Sequence, residues 1–506
     1  MFFIRNKKFF VHACAWAIAI TALTTISSCE QKQANEDKNQ LVLGMVLEPP
    51  GLDPTVGAAS AIAEVVLYNV FETLTKIQPD GTVQPLLATH WESSADQKVW
   101  TFHLREGVRF QNGEPLTAET VKYAFERAAA ADSTNKDKQL FAGFERIEIP
   151  DAQTVVLHGR VPNPNLPFLL GQATSIIVEP RSAAHNNTTP VGSGPYQLEN
   201  WQKGASLTLK KWEGYRAAPE IALQTATFRF ISDAAAQSAA LLAGDIDLFA
   251  RVQVARNLEQ FKGDDRFQVL VGASRAKTIM AMNNGHKPLN DVRVRRAISM
   301  AIDRHAVIQG AADGFGVPIG SFYVPEAPAY VDTTGVTPYD PETAKALLQE
   351  AGVSQLTLTM KLPPPPYAKQ GGEVIAAMLA QVGVTVKIES VEWAQWLSNV
   401  YGQKDYDLTI ISHVEPFDLG NFAKPDYYWN YRSPAFNALY ARLLATGNEQ
   451  ERARLLGEAQ KMVAEDAVAA YLYQPQWITV ANSKLQGVQQ NMPVFVNDLA
   501  SLRWQQ

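Results

Sequence analysis

The stretch HWESSADQKVWTFHLREGVRFQNGEPLTAETVKYAF, residues 90–125, packs several local signals into one block. Residues 99–104 alternate apolar with polar side chains, which predicts a half-buried strand. Glu106-Gly107 and Asn112-Gly113 are turn pairs, so residues 108–110 are expected to run back along that strand. Thr117, with Glu119 in the first turn and Thr120 three residues on, predicts the start of a helix. Val121, Ala124 and Phe125 form its inward stripe.

Upstream, residues 41–47 (LVLGMVL) are apolar throughout, the mark of a strand covered on both faces of a central sheet. Prolines 49, 50 and 54 with Gly51 end it. A helix is expected from Ser60, with an apolar stripe through Ile62, Val65, Val66, Val70 and Leu74. Asp80-Gly81 predicts a tight turn between two extended segments. Downstream, residues 406–412 read as a buried strand that opens into a loop bearing Glu415, Asp418 and six aromatic rings between Phe417 and Tyr431. Exposed rings gain nothing from water. The loop therefore either faces a cleft or folds over a small core of its own.

The first forty residues read as a leader. Arg5, Lys7 and Lys8 precede an apolar run over 11–26, and Ser27, Ser28 and Cys29 close it with small residues. That run is shorter than the roughly 20 residues of a membrane-spanning helix. The box ending in Cys29 resembles a bacterial lipoprotein signal, so residues 1–28 are expected to be removed, Cys29 to carry lipid and 29–40 to be a polar tether. Such cleavage takes the net charge from −6 to −9 and removes Cys14, leaving no cysteine pair for a disulfide. A mildly acidic chain without basic runs is a poor nucleic-acid partner. The body is expected to be a monomer in the periplasm or cell envelope, attached through Cys29.

The string W-E-x-S-x-D followed by T-F-x-L-R-x-G-V-x-F-x-N-G-x-P-L-T-A-E-x-V closely resembles the signature region of the family 5 extracellular solute-binding proteins of ABC importers, the peptide- and nickel-binding group. Residues 190–201 (PVGSGPYQLENW), 242–247 (LAGDID), 288–304 (PLNDVRVRRAISMAIDR) and 339–352 (YDPETAKALLQEAG) are similar to later blocks of that family, in the same order. The resemblance implies an α/β fold of the type II periplasmic-binding-protein kind, two lobes joined by a hinge, with a smaller inserted domain. Lobe I would comprise residues 41–76, 190–278 and 479–506, the inserted domain 77–189, and the later lobe 279–478.

It also implies a ligand site. In peptide-binding members a carboxylate of the later lobe holds the ligand's α-amino group, and counting back from Asn421-Phe422 puts Glu415 at that anchor and Asp418 at the next acid. Pro416, Phe417 and Leu419 depart from the usual pattern there. Ala58, Ala59 and Ser60 of the first lobe, and Ser412 and His413 of the later one, are expected to make contacts along an extended ligand. Phe417, Phe422, Trp393 and Trp396 are further candidate cleft residues, the tryptophans being better suited to core packing than to lining the cleft. Dipeptide-selective members fork the ligand carboxylate with an arginine of the later lobe, yet no arginine occurs between Arg304 and Arg432. Longer peptides, or a non-peptide ligand such as a metal chelate, haem or opine, are therefore open.

Other chemistry has little support. The eight histidines show no metal-binding spacing, no nucleotide loop occurs, and Gly272 to Ala276 lacks the closing glycine of a nucleophile elbow. No cofactor, metal or catalytic residue is expected, and a secreted hydrolase is the weakest alternative. Arg293, Arg295, Arg296 and Arg304 are read as solvated charges on a structural helix. The resemblance implies a membrane permease as partner.

Overall fold

The computed structural model describes residues 39–57, 59–252, 255, 258–353 and 355–505. The proposed leader, Cys29 and Ala58 lie outside them. Twelve described strands form one mixed sheet organised on a single long strand, Ala469–Asn482. Its first part pairs antiparallel with Lys277–Met282, and its second with Phe267–Ala273. Beyond Lys277–Met282 lie Leu408–His413, Leu356–Leu362 and Val384–Ser390; on the other side lie Leu248–Phe249, Gln40–Met45, Thr225–Phe230, Ser206–Lys211 and Tyr196–Gln202. Residues 274–276 and the middle of the long strand thus carry the chain between two halves.

Strand Lys277–Met282 shows why residues 279–282 are apolar throughout. Met280 and Met282 enter one core beneath the helices Val292–Met300, Arg304–Ala312 and Pro366–Gln381, while Ile279 and Ala281 enter the core on the opposite face. Successive side chains alternate faces, so a strand covered on both sides has no polar positions to spare. Residues 88–159 contribute a separate four-stranded antiparallel sheet, ordered Ala88–Ser93, Val99–Leu104, Thr154–Gly159, Phe144–Asp151. The Asp80-Gly81 turn joins Thr75–Ile77 to Val83–Pro85, and Thr120 Oγ1 accepts the Thr117 N–H at 3.0 Å to start helix Ala118–Ala129.

Four local expectations need correction. The first helix stops at Val66, because Tyr68 adopts a left-handed conformation (φ 60°) and the chain turns away; Val70 and Leu74 are still buried. Residues 108–110 make only an isolated bridge, Arg109 to Pro115, since proline has no N–H to extend a ladder. Residues 372–381, which read from the sequence as a helix following the prolines at 363–366, belong to a longer helix that starts at Pro366, proline being well suited to a first turn. Lastly, Arg295 and Arg304 are buried, not solvated. Arg295 donates to the carbonyls of Leu289, Asp466 and Ala467, and Arg304 to those of Tyr471 and Thr337.

Candidate functional site

A cleft of about 440 Å³ lies between the halves of the sheet. Its later wall is built on two paired strands. Thr278 stands opposite Ser412 in register, and its hydroxyl donates to Ser412 Oγ at 3.2 Å. The Ser412 N–H donates to the Tyr367 hydroxyl at 3.1 Å, which fixes the end of strand Leu408–His413 against helix Pro366–Gln381. The first wall is Ser60 and Glu64 of helix Ser60–Val66, joined by Arg251, and Tyr473 with residues Pro475 to Ile478 of the long strand form the floor. Glu64 and Arg251 make an ion pair across this wall.

Beyond Ser412 the acid loop is held by a lysine. Lys277, opposite His413 in register, donates to Asp418 Oδ1 at 2.7 Å and to the Glu415 carbonyl at 2.8 Å, and its ammonium lies 4.9 Å from the centre of the Phe322 ring. Both side chains of the pair are nearly sealed from water, at 5% and 6% exposure. The Glu415 side chain is 62% exposed. The two acids therefore differ: Asp418 is neutralised within the chain, and Glu415 is available.

His413, Glu415 and Asp418 bring one possible metal-ligating atom each within 4.8 Å of one another. The Lys277 ammonium on Asp418 opposes a second cation there, as like charges at that range repel strongly in a poorly solvated place.

Burial pushes the Asp418 carboxyl up to about 6 against the pull of Lys277, and pushes the His413 imidazole down to about 4 against the attraction of Glu415. His413 is thus neutral at pH 7 and shares a 3.0 Å hydrogen bond with the Tyr428 hydroxyl. The two shifts act on stability with opposite signs. Asp418, raised in the fold, contributes stability that is full below its unfolded value of 3.8 and is lost as pH rises through about 6. His413, depressed in the fold, contributes stability present above 6.5 and lost as pH falls toward 4. The advantage of the wild type over His413→Gln in denaturant unfolding should accordingly be larger at pH 7 than at pH 4.5. An equal advantage at both values would refute this assignment.

Of the residues expected at the site, the cleft lining brings together Ser60 and Ser412. Ala59 is exposed beside Ser60, and His413, Glu415 and Asp418 cluster around Lys277. Phe417 instead meets Phe168 of the segment 77–189, ring centres 5.1 Å apart, with the Arg275 guanidinium 4.3 Å from the Phe168 ring and 5.8 Å from its own. The Arg275 side chain also touches the Asp80-Gly81 turn: a Cβ on Gly81 would stand 3.0 Å from it.

The aromatic loop is corrected more broadly. Phe422, Tyr428, Trp429 and Tyr431 are 5% exposed or less and form a core with Phe322 and Phe436. Phe422 stacks on Trp429 at 4.4 Å. Trp396 belongs to the same core and donates to Thr409 Oγ1 at 3.0 Å, whereas Trp393, edge-on to it at 5.8 Å, is 42% exposed. Sequence reading missed Lys277, Glu64, Arg251 and Tyr367. Only Lys277 left a signal, a single charge at the head of the fully buried run KTIMAM.

Residues 82–438 match the model of the bacterial extracellular solute-binding proteins, family 5 Middle. The chain belongs to that family. This family 5 protein is a substrate-binding component of an ABC importer, not an enzyme. It is 28% identical over 504 residues to the probable D,D-dipeptide-binding periplasmic protein DdpA of Escherichia coli (strain K12), covering 92% of this chain and 95% of that one. Di/tripeptide-binding protein 1 of Pseudomonas aeruginosa is 26% identical, with 86% and 90% covered. Among solved structures, the periplasmic binding protein AgaA in complex with agropinic acid, from A. tumefaciens R10, is 25% identical at TM-score 0.76, with 92% and 99% covered. HbpA2 from Haemophilus parasuis has TM-score 0.84 at 21% identity, covering 92% and 100%, and shows the α/β, two-lobed fold alone. No described helix is long and apolar enough to cross a membrane.

Proposed function

We propose that this receptor captures short peptides with a free amino end between its two lobes and delivers them to a membrane permease, while Cys29 anchors it by lipid. The lobes are residues 41–76, 190–278 and 479–506 against 279–478, with 77–189 inserted, and the crossings near 274–276 and 474–476 act as the hinge. One observation supports the ligand class above others: of two adjacent acids, only Glu415 is exposed, because Lys277 takes Asp418. Glu415 is therefore the amino anchor. The peptide-binding names of the relatives that match nearly full length agree with that reading.

Glu415→Gln keeps the size of the side chain and removes its charge. A hydrogen bond to a charged group contributes about 1.5–3 kcal/mol, so affinity for free-amino tri- and tetrapeptides should fall roughly 10- to 100-fold while N-acetylated forms bind unchanged. Titration calorimetry checks this, and equal wild-type affinity for both forms would sink it. A second reading, an opine-like acid, is supported by the likeness to AgaA with agropinic acid. Native mass spectrometry of the protein as purified separates the two by the mass carried.

A further inference from the structure

The cleft's first wall carries an ion pair, Glu64 with Arg251, and beside its later wall lies another, Lys277 with Asp418; they leave opposite charges exposed. Beside the later wall both members of the pair are hidden, Lys277 at 5% and Asp418 at 6%, and the charge left exposed is the neighbouring Glu415 carboxylate, at 62%. On the first wall the acid is hidden: Glu64 is 8% exposed and Arg251, which pairs with it, 24%. The surfaces offered to a ligand are thus a guanidinium on one side and a carboxylate on the other.

Arg251 is also held in place. It follows the buried strand Leu248–Phe249 in a left-handed conformation (φ 57°), which a residue with a side chain adopts only when its surroundings impose it. Its guanidinium lies 4.8 Å from the centre of the Phe495 ring and 5.2 Å from that of Trp477, rings that stack on each other at 5.2 Å. The acid beneath it is fixed in turn, because Asn497 donates its backbone N–H and its side-chain amide to the Glu64 carbonyl at 3.2 and 3.1 Å. An arginine presents five donors in a planar fork, and among the described residues Glu64 is its one polar partner. A fork backed by aromatic faces and open to a cleft matches a carboxylate in shape and charge.

We infer that Arg251 is the anion-recognition residue of this receptor and takes a carboxylate of the ligand, so that the cleft selects dipolar ligands. This rests on the peptide reading for the identity of that carboxylate, the C-terminus. It also answers the missing arginine of the later lobe: the fork comes from the opposite wall.

Tri- and tetrapeptides with a free C-terminus are compared with their C-terminal amides by calorimetry, in the wild type, in Arg251→Lys and in the paired variant Glu64→Gln/Arg251→Gln. Lysine keeps a charge for Glu64 but lacks the fork, and the paired variant leaves neither charge buried alone. The wild type should prefer the acid by tenfold or more, and both variants should bring that preference below about threefold. Circular dichroism confirms that each is folded; if Arg251→Lys is not, the paired variant decides. No preference in the wild type, or the full preference kept in a folded variant, overturns the inference. Agropinic acid is the non-peptide arm. If it binds with the same dependence on Arg251 while no peptide binds, the peptide reading fails and the role of Arg251 stands; if peptides bind but acid and amide bind alike, the reverse holds.

Discussion

Asp418→Asn is expected to lower unfolding stability by about 1–3 kcal/mol at pH 7, less than the roughly 3–5 kcal/mol usual for breaking a buried ion pair, because burial already opposes the Asp418 charge and raises its carboxyl to about 6. The loss does not come from the attraction alone. Lys277 Nζ would keep the Glu415 carbonyl, but its charge would stay in a site of 5% exposure with only the solvent-exposed Glu415 carboxylate nearby to offset it. Nor does the amide fit. Asp418 Oδ2 is buried and has no hydrogen-bond partner among the described residues, so an amide either places two donors there with nothing to receive them or turns them on the ammonium. Replacing both residues by apolar ones, as Lys277→Met/Asp418→Leu, should recover most of the loss, since that change buries no lone charge. The functional readout should differ from the stability readout. If Glu415 is the amino anchor, Asp418→Asn leaves the discrimination between free-amino and acetylated peptides in place. Urea unfolding of the three variants decides the first claim, and a loss below about 1 kcal/mol for Asp418→Asn would show that the pair is not a structural one.

What could be read in the chain, and what could not, follows from the range of the interaction concerned. Strand 99–104 and the helix start at Thr117 were legible because alternation and a helix start are settled within a few positions of themselves, whereas the pairing expected of residues 108–110 was not. The position of the acid loop was legible from the order of its residues. The direction of its rings was not, for an aromatic count is the same whether the rings line a cleft or a core. Here the choice was made by helices Pro434–Ala445 and Glu449–Glu465, whose Phe436 and Leu455 close the core over Phe422 and Trp429. Arg295 and Arg304 looked solvated because their acceptors are backbone carbonyls, some about 170 positions away, and a carbonyl leaves no mark in a sequence. The site charges failed through the same range: Lys277 and Asp418 are 141 residues apart, and Glu64 pairs with Arg251 from a distant part of the chain.

The glycine-rich loop at 190–201 supports the second large prediction, Arg216→Met. That loop resembles a family motif, but its residues face the interior of the first half instead of the cleft lining. Gly194 donates its N–H to the Val70 carbonyl at 2.9 Å, and Tyr196 donates to that of Asn69 at 2.9 Å. A Cβ on Gly192 would lie 1.8 Å from the Val70 oxygen, and one on Gly194 2.3 Å from the Asn69 oxygen, so the backbones meet only because these positions lack side chains. The approach delivers Ser193 to Glu72, an acid at 1% exposure, where the serine hydroxyl donates at 3.0 Å. Arg216 completes the arrangement with two bonds to Glu72 at 2.7 and 2.8 Å, and its 22% exposure keeps the guanidinium in partial contact with water. The consequences of removing the two partners are therefore unequal. Arg216→Met strands a carboxylate that water cannot reach and should cost about 3–5 kcal/mol, whereas Glu72→Gln strands a cation that water can reach and should cost distinctly less. Denaturant midpoints for the two variants test that order, and Glu72→Gln proving the more damaging would contradict it. Peptide affinity per folded molecule should be unchanged in both. If Arg216→Met lost affinity while keeping its unfolding midpoint, the glycine loop would be part of the ligand site and not of the frame that holds the first wall.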